Sequence, residues 1–427
     1  MQTVDVLVVG GGAAGCLAAG RAAQDGARVL LLERNARVAR KVGITGKGRC
    51  NVTNASDVPA LVQNVPGNGR FLYSAFSAFS AEDTMRFFTE LGVPLKVERG
   101  NRVFPQSDRA ADIVDALARY VQRSGAQRRQ ARVTALLLRD GAVRGVQTEA
   151  GDTIQARCVV LATGGLSYPA TGSTGDGYRL AQAAGHTIVP TRPSLSALRC
   201  REELCKTCAG LSLRNVALTV EDTQTHKTVY TDFGEMLFTH FGVSGPMVLS
   251  ASAHLRAMRP DRYRLFIDLK PALSEEKLDL RLLRDFSASA NRTVANTLGA
   301  LLPRSLIAPV LCLAGIDGAQ KTNQIDKTQR RRLLETVKAL PLTVQGFFDV
   351  EAAVITAGGV CVREVEPKTM ASKLCRGLYI AGELLDCDAY TGGFNLQIAF
   401  STGYCAGRAA ARASRQTDAV ARLTNKE

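Results

Sequence analysis

The sequence predicts an α/β fold: a Rossmann-like FAD-binding domain of the two-dinucleotide-binding flavoprotein type, interrupted by a β-rich insert with a helical subdomain. Three observations predict it. A strand, a glycine-rich turn, a helix and a second strand occupy the first 33 residues. Strand and helix patterns of the same kind return near residue 353. Between these parts, alternating strands are followed by a long helical stretch, which is too long for an ordinary loop.

The predicted boundaries follow these changes of pattern. The nucleotide-binding domain takes residues 1–192 and 346–414, and a polar tail, expected to fray from Ser414, takes 415–427. The insert takes residues 193–345. Within it, we expect β-structure over 193–272 and 337–345, and helices over 273–336.

The N-terminal βαβ unit carries the motif G-x-G-x-x-G. Gly10 permits a tight turn, Gly12 allows close approach of a pyrophosphate, and Gly15 lets helix and strand pack closely. Ala13 and Ala14 open the helix, whose free N–H groups and positive dipole end favour phosphate. Glu33 ends the second strand, 18 residues after Gly15, and is placed to accept hydrogen bonds from ribose hydroxyls.

A basic, glycine-punctuated stretch follows Glu33 and predicts a loop that holds a ligand. Its proposed cofactor contacts are Arg34, Arg40, Lys41, Gly48, Arg49, Cys50 and Asn51.

Two late motifs favour a flavin over a nicotinamide as the tightly bound cofactor. The first, Leu161–Gly165, is a buried strand end with candidate contacts at Thr163 and Gly164. The second begins at Leu378 and continues into a last helix, predicted from Leu396 to about Ala413. Packing glycines explain either motif alone but explain both together poorly. The late candidate contacts are Gly382, Glu383, Gly392, Gly393, Asn395 and Leu396.

Charge and composition restrict the partners. The net charge of +15 favours an anionic partner, although a solvated basic surface explains it as well. No apolar run is long enough to span a membrane, and no signal peptide precedes the first strand, so we expect a cytoplasmic protein without a membrane partner. The helical part of the insert concentrates basic residues: Arg281, Arg284, Arg292, Lys321, Lys327 and Arg330–Arg332.

Eleven cysteines are scattered along the chain, and three form a C-x4-C-x2-C pattern. Cys200, Cys205 and Cys208 have the spacing of an iron–sulfur loop that lacks its fourth ligand, and zinc is an alternative. No histidine adjoins them, so we expect no metal site.

Several separated motifs resemble the BaiN/RdsA-type NAD(P)/FAD-dependent oxidoreductases over nearly the whole chain. They are Gly46–Asn54, Arg102–Pro105, Gly164–Pro169, Leu237–Pro246, Thr356–Val360 and Ala381–Asp386 with Gly392–Asn395. Ala389 departs from the pattern, because many members have glycine there; a position that needs positive φ would change this loop.

The resemblance implies tightly bound FAD, transient NAD(P)H as reductant, and reduction of a carbon–carbon double bond. Two substrates are associated with the family: uracil of large-subunit ribosomal RNA, giving dihydrouridine, and conjugated bonds of oxo-bile-acid intermediates. The charge favours ribosomal RNA or its precursor as the leading partner, with an anionic small molecule as the alternative. A flavin- and RNA-binding factor without turnover is a further hypothesis.

Such a reduction needs a proton donor beside the hydride acceptor. The predicted catalytic residues are Cys50, His240 and Tyr390, with Tyr168 as a further candidate acid. The neighbouring Arg49 is expected to lower the pKa of Cys50.

Overall fold

The computed structural model describes residues 2–424. It divides the chain into two compact units. Unit 1 comprises Met1–Ser194 and Val350–Glu427, and unit 2 comprises Leu195–Asp349.

The first segment of unit 1 alternates strands and helices. Its elements are β1 (Gln2–Val9), α1 (Ala13–Gln24), β2 (Val29–Glu33), β3 (Thr53–Asn54), α2 (Val58–Gln63), α3 (Tyr73–Ala78), α4 (Ala81–Glu90), β4 (Leu95–Glu98), β5 (Arg102–Pro105), α5 (Ala110–Arg123), β6 (Gln127–Gln130), β7 (Val133–Arg139), β8 (Ala142–Thr148), β9 (Thr153–Leu161), α6 (Asp176–Ala183) and β10 (Ile188–Ser194).

Unit 2 contains six strands, which close into a barrel, and six helices. Its elements are β11 (Leu198–Cys200), α7 (Leu204–Thr207), β12 (Ser212–Asp222), β13 (Lys227–Thr239), β14 (Gly242–Ser244), α8 (Pro246–Ser252), β15 (Tyr263–Asp268), α9 (Glu275–Ala288), α10 (Val294–Thr297), α11 (Arg304–Ala314), α12 (Lys327–Lys338) and β16 (Leu340–Phe347).

Unit 1 is completed by β17 (Ile355–Val360), β18 (Leu378–Ile380) and α13 (Phe394–Thr424). The expectation of a frayed tail from Ser414 was wrong, because α13 continues to Thr424. The last part of that tail, 425–427, lies outside the described residues. The continuation Ala-Arg-Ala-Ser-Arg-Gln contains neither glycine nor proline, so nothing local ends the helix.

The central sheet of unit 1 sets the position of the site. Its strand order is β6-β2-β1-β9-β8-β7, and β18 pairs with the second half of β9. β6, β2, β1, β9 and β18 run parallel, so their carboxyl ends lie at one edge. Ligands of open parallel sheets bind at that edge. Every residue of β2 is buried, as expected for a parallel strand covered on both faces.

The barrel of unit 2 has the strand order β11-β14-β13-β12-β15-β16. Along β12 the buried residues alternate (Val216, Leu218 and Val220), since one face of each strand points into the core. The α/β Rossmann-like fold and its β-rich insert are therefore confirmed. Within the described part of the chain, no helix has the length and apolar character needed to cross a membrane.

Candidate functional site

A cavity of about 1350 Å³, its open mouth included, lies at the carboxyl edge of the parallel strands. Val9, Glu33, Ala162 and Ala381 line it, and each ends or directly follows a parallel strand.

The glycines at the start of α1 form a phosphate cradle. Gly10 has φ +99°, and a Cβ on it would lie 2.5 Å from the carbonyl oxygen of Ala162. A Cβ on Gly15 would lie 1.8 Å from the carbonyl oxygen of Gly10. Gly12 differs from both, because a Cβ there would meet nothing within 4 Å. Gly12 therefore leaves open space at the helix N-terminus, where the first N–H groups have no intrahelical acceptor.

Glu33 fixes this turn as well as facing the cavity. Its Oε2 accepts a hydrogen bond of 2.7 Å from the backbone N–H of Gly11. Its Oε1 accepts from the backbone N–H of Asn35 at 2.8 Å and from Asn35 Nδ2 at 2.7 Å. Glu33 is only 8% exposed, so these donors compensate for the burial of its carboxylate.

Further residues of the cavity wall were not predicted from the sequence, among them Asn35, Ala131, Arg132, Val133 and Asp176. The Arg132 side chain pairs with Asp176, with Nε 2.9 Å from Oδ2, and this hydrogen bond is the main cause of the lowered pKa of Asp176. No local sequence signal marks these residues, because the pairing of the sheet brings them to the cavity. Ala131 directly follows β6, whose last residue, Gln130, is in register with Glu33.

An ion pair forms part of the cavity wall. Lys41 Nζ lies 2.7 Å from Glu383 Oε2 and donates a hydrogen bond of 2.6 Å to Ser167 Oγ. Glu383 Oε1 also accepts from the backbone N–H of Thr356 at 3.0 Å. These bonds join the basic loop after β2 to the turn after β18.

Thr45, Cys387, Asn395 and Leu396 also line the cavity. Asn395 holds the preceding loop, because its Oδ1 accepts from the backbone N–H of Ala389 at 2.9 Å and its Nδ2 donates to the carbonyl of Ala389 at 2.8 Å. Ala389 is not among the described residues with positive φ, so the alanine causes no backbone strain here.

Of the 21 proposed cofactor contacts, the structure brings 14 to the cavity wall. These are Gly10, Gly12, Ala13, Ala14, Glu33, Arg34, Arg40, Lys41, Thr163, Gly164, Gly382, Glu383, Asn395 and Leu396. The other seven lie off the wall: Gly15, Gly48, Arg49, Cys50, Asn51, Gly392 and Gly393. Gly15 and Gly393 serve close packing, since a Cβ on either would come within 2.3 Å of a backbone oxygen.

Arg49 contacts protein carboxylates. Its guanidinium pairs with Asp108 at 2.6 Å and with Glu98, and it lies 4.2 Å from the centroid of the Phe104 ring. The hydrogen bond that Arg49 donates to the Glu98 carboxylate is the main cause of the raised pKa of Arg49.

The three predicted catalytic residues have different surroundings. Cys50 is fully buried, and this burial raises its pKa to about 12, opposite to the direction expected from the neighbouring Arg49. Tyr390 is half-buried in the loop before α13, between Cys387 and Asn395 of the cavity wall. His240 belongs to unit 2, where it is exposed in the β13–β14 turn with its ring 5.0 Å from that of Phe241.

Much of the basic charge of the helical insert is neutralised within unit 2. Arg330 Nε lies 2.7 Å from Asp279, and Arg331 pairs with Glu335 and Glu275. Arg281 and Arg284 share Asp285. The spacing of acidic residues on α9 and α12 therefore reduces the charge that the insert offers to an anionic partner.

The cysteine pattern of unit 2 starts in β11 and continues through α7. Cys205 and Cys208 are buried, and Cys208 Sγ donates to the carbonyl of Ser305 at 3.4 Å. Over residues 2–424, no three His, Cys, Asp or Glu side chains are grouped as a metal site would require.

A family model described as the HI0933-like protein Rossmann domain matches residues 4–409. The chain belongs to this family. The match confirms the resemblance to the BaiN/RdsA-type flavoproteins. The 3-dehydro-bile acid delta(4,6)-reductase of Clostridium scindens is 33% identical over 411 residues, 95% of this chain and 98% of the relative. The ribosomal RNA dihydrouridine synthase of Escherichia coli is 28% identical over 411 residues, 95% of this chain and 97% of the relative.

A solved structure has the same fold. The 3-ketosteroid-Δ4-(5α)-dehydrogenase of Rhodococcus jostii superposes with a TM-score of 0.53 at 16% identity, covering 96% of this chain and 97% of that one. The chain is a flavin-dependent oxidoreductase, which sets aside the hypothesis of a binding factor without turnover. The cradle at Gly12 and the carboxylate of Glu33 fit the pyrophosphate and ribose of FAD.

Proposed function

We propose that this protein reduces a uracil of large-subunit ribosomal RNA to dihydrouracil, with NAD(P)H as the reductant of its flavin. The observation that carries the proposal is the net charge of +15, which suits a polyanionic substrate. The similarity to ribosomal RNA dihydrouridine synthases over 95% of the chain supports it.

The reaction adds a hydride to C6 of the uracil and a proton to C5, so that the C=C bond becomes a C–C single bond and two C–H bonds form. When bound and reduced by NAD(P)H, the flavin would supply the hydride. The protein must then hold the base, exclude water and deliver the proton.

Among the candidate acids, we propose Tyr390 as the proton donor. It lies in the loop between two residues of the cavity wall, at the end where the last helix begins. Cys50 is fully enclosed by protein, whereas Tyr390 is half-buried. His240 is exposed in the turn between β13 and β14, and none of residues 239–242 lines the cavity.

Reduction of a conjugated bond in an anionic small molecule is the second candidate, and the 33% identity to the bile-acid reductase favours it. The experiment that separates the two uses the FAD-loaded protein with NADPH or NADH under anaerobic conditions. Unmodified large-subunit ribosomal RNA and a 3-oxo-4,6-diene steroid acid are offered in parallel. We expect RNA nucleosides to gain two hydrogens by mass spectrometry. Reduction of the steroid alone would contradict the proposal.

A further inference from the structure

Two exposed loops of unit 1 lie side by side near one end of the cavity. The first, residues 44–49, contains Thr45 of the cavity wall. The second is the turn 99–101 between β4 and β5. Arg49 of the first loop donates to Glu98, next to the second, so the two loops are tied together.

Asn54 ties the same turn to the start of the last helix. Its Nδ2 donates to the carbonyl of Gly100 and to that of Gly392, both at 3.0 Å. Gly392 precedes α13, which contributes Asn395 and Leu396 to the cavity wall. The turn therefore lies near the part of the cavity wall that Asn395 and Leu396 form.

The charged side chains in and beside these loops form two groups, one neutralised by ion pairs and one without carboxylate partners. Arg49 and Lys96 pair with Glu98 and Asp108, so two positive charges meet two negative charges. Lys47, Arg99 and Arg102, which we name the basic rim, are all exposed. Among residues 2–424, no carboxylate lies within ion-pair distance of any member of the basic rim.

We propose that the basic rim binds the phosphate backbone of the RNA substrate and so presents the target uracil to the cavity. This inference rests on the proposed function. Guanidinium and ammonium groups that no carboxylate neutralises are the usual ligands of backbone phosphates. Arg102 also donates from Nε to the carbonyl of Arg99 at 3.0 Å, which ties two members of the rim together. A base that is modified inside a pocket must leave its stack, and phosphate contacts beside the pocket mouth fix the strand from which it leaves. Three separate cations suit the repeated charge of a strand better than the few charges of a small acid.

The test compares two variants that lose the same charge. The rim variant is K47Q/R99Q/R102Q, and the control variant is R123Q/R144Q/K368Q, whose exposed residues do not line the cavity. The probe is large-subunit ribosomal RNA transcribed in vitro, titrated against each FAD-loaded protein at several salt concentrations. Each phosphate contact adds about 0.7 to 0.9 to the slope of log affinity against log salt.

We expect the rim variant to lose about 2 to 3 units of that slope and at least about tenfold in affinity at low salt. The control variant should change the slope by less than about 1. Equal FAD content verifies that the variants fold. If the triple variant does not retain FAD, the single variants K47Q and R99Q carry the test, each with an expected loss of about 1 unit of slope.

Two results would overturn the inference and are distinguishable. If the wild-type protein reduces RNA, and the rim and control variants bind RNA equally, the basic rim is not the docking surface although the proposed function stands. If the wild-type protein neither binds nor reduces RNA, both proposals fail.

Discussion

Lys41 and Glu383 form an ion pair of 2.7 Å although 342 residues separate them in the sequence. Both side chains are largely buried, at 21% and 14% exposure, and both line the cavity. Because the pair joins the loop after β2 to the turn after β18, it holds the two chain segments of unit 1 in the geometry that the cavity requires.

Replacing Lys41 by Met should therefore destabilise unit 1 and weaken FAD binding together. The variant leaves the buried carboxylate of Glu383 without its cation, which costs about 1 to 3 kcal/mol. The measurements are urea unfolding of the FAD-free protein and titration with FAD. The double variant K41M/E383Q, in which no charge is left unpaired, should be less destabilised than the sum of the two single variants. Strict additivity would show that the pair contributes nothing.

Gly12 and Gly15 should respond differently to a side chain. In Gly12→Ser the Cβ meets open space and serine is a favoured N-cap, so the fold should be kept while FAD affinity falls by about tenfold or more. In Gly15→Ala the Cβ collides with the carbonyl of Gly10, so the free energy of unfolding should fall by about 1 to 3 kcal/mol. Thermal unfolding and FAD titration separate the two effects. If both variants lost the same free energy of unfolding, the open space beside Gly12 would be contradicted.

The nucleotide-binding half of the site could be predicted from the sequence, because its glycines, Glu33 and the helix start are local in the chain. Lys41 and Glu383 were both predicted as cofactor contacts, but the ion pair between them was not. Arg49 was assigned to the cofactor, whereas it pairs with carboxylates 49 and 59 residues away. Sequence spacing does not show which acids the β4–β5 hairpin brings next to a basic loop.

Burial and ion pairing explain the other differences between the predicted and the observed environments of charged and titratable side chains. The pKa of Cys50 was expected to fall because Arg49 adjoins it, but the Arg49 side chain turns to Glu98 and Asp108 while the thiol is enclosed. The basic stretch on α12 suggested an anion-binding face. Glu335, one helical turn away on α12, and Asp279, on the neighbouring α9, neutralise part of this charge.

The thiol of Cys50 should be unreactive in the native protein. Its pKa of about 12 leaves almost no thiolate at neutral pH, and its side chain is enclosed. Cys312 on α11 is exposed, so iodoacetamide should modify it first. Peptide mapping by mass spectrometry measures both sites, with C312S as the control and urea-unfolded protein as the reference. If iodoacetamide modified Cys50 of the native protein as fast as Cys312, the thiol of Cys50 would be activated after all.

Tyr390→Phe should lower turnover by about 10²- to 10⁴-fold with little change in FAD binding, since only the proton donor is removed. The matched control is Tyr168→Phe, which removes the hydroxyl of the other candidate tyrosine. Steady-state kinetics on the accepted substrate and the visible flavin spectrum are the measurements. Full turnover by Y390F would remove Tyr390 from the mechanism.

His186 should make the stability of unit 1 depend on pH. Its side chain is fully enclosed, with Nδ1 3.2 Å from Glu364 Oε2 and Nε2 2.7 Å from Ser372 Oγ. Burial lowers the pKa of His186, and the hydrogen bond with Glu364 opposes this only in part. The folded state therefore binds fewer protons than the unfolded state, in which the pKa is about 6.5. The stabilisation is present above that value and is lost as the pH falls toward the lower folded pKa.

We expect the free energy of unfolding to fall between pH 7 and pH 5, by at most about 1.4 kcal/mol per pH unit for this one proton. His186→Gln should flatten this dependence in urea-unfolding experiments, whatever it costs at pH 7. His226→Gln is the matched control, because that ring is 82% exposed in unit 2. If the free energy of unfolding of H186Q depended on pH as strongly as that of the wild type, a group other than His186 would bind the proton on unfolding.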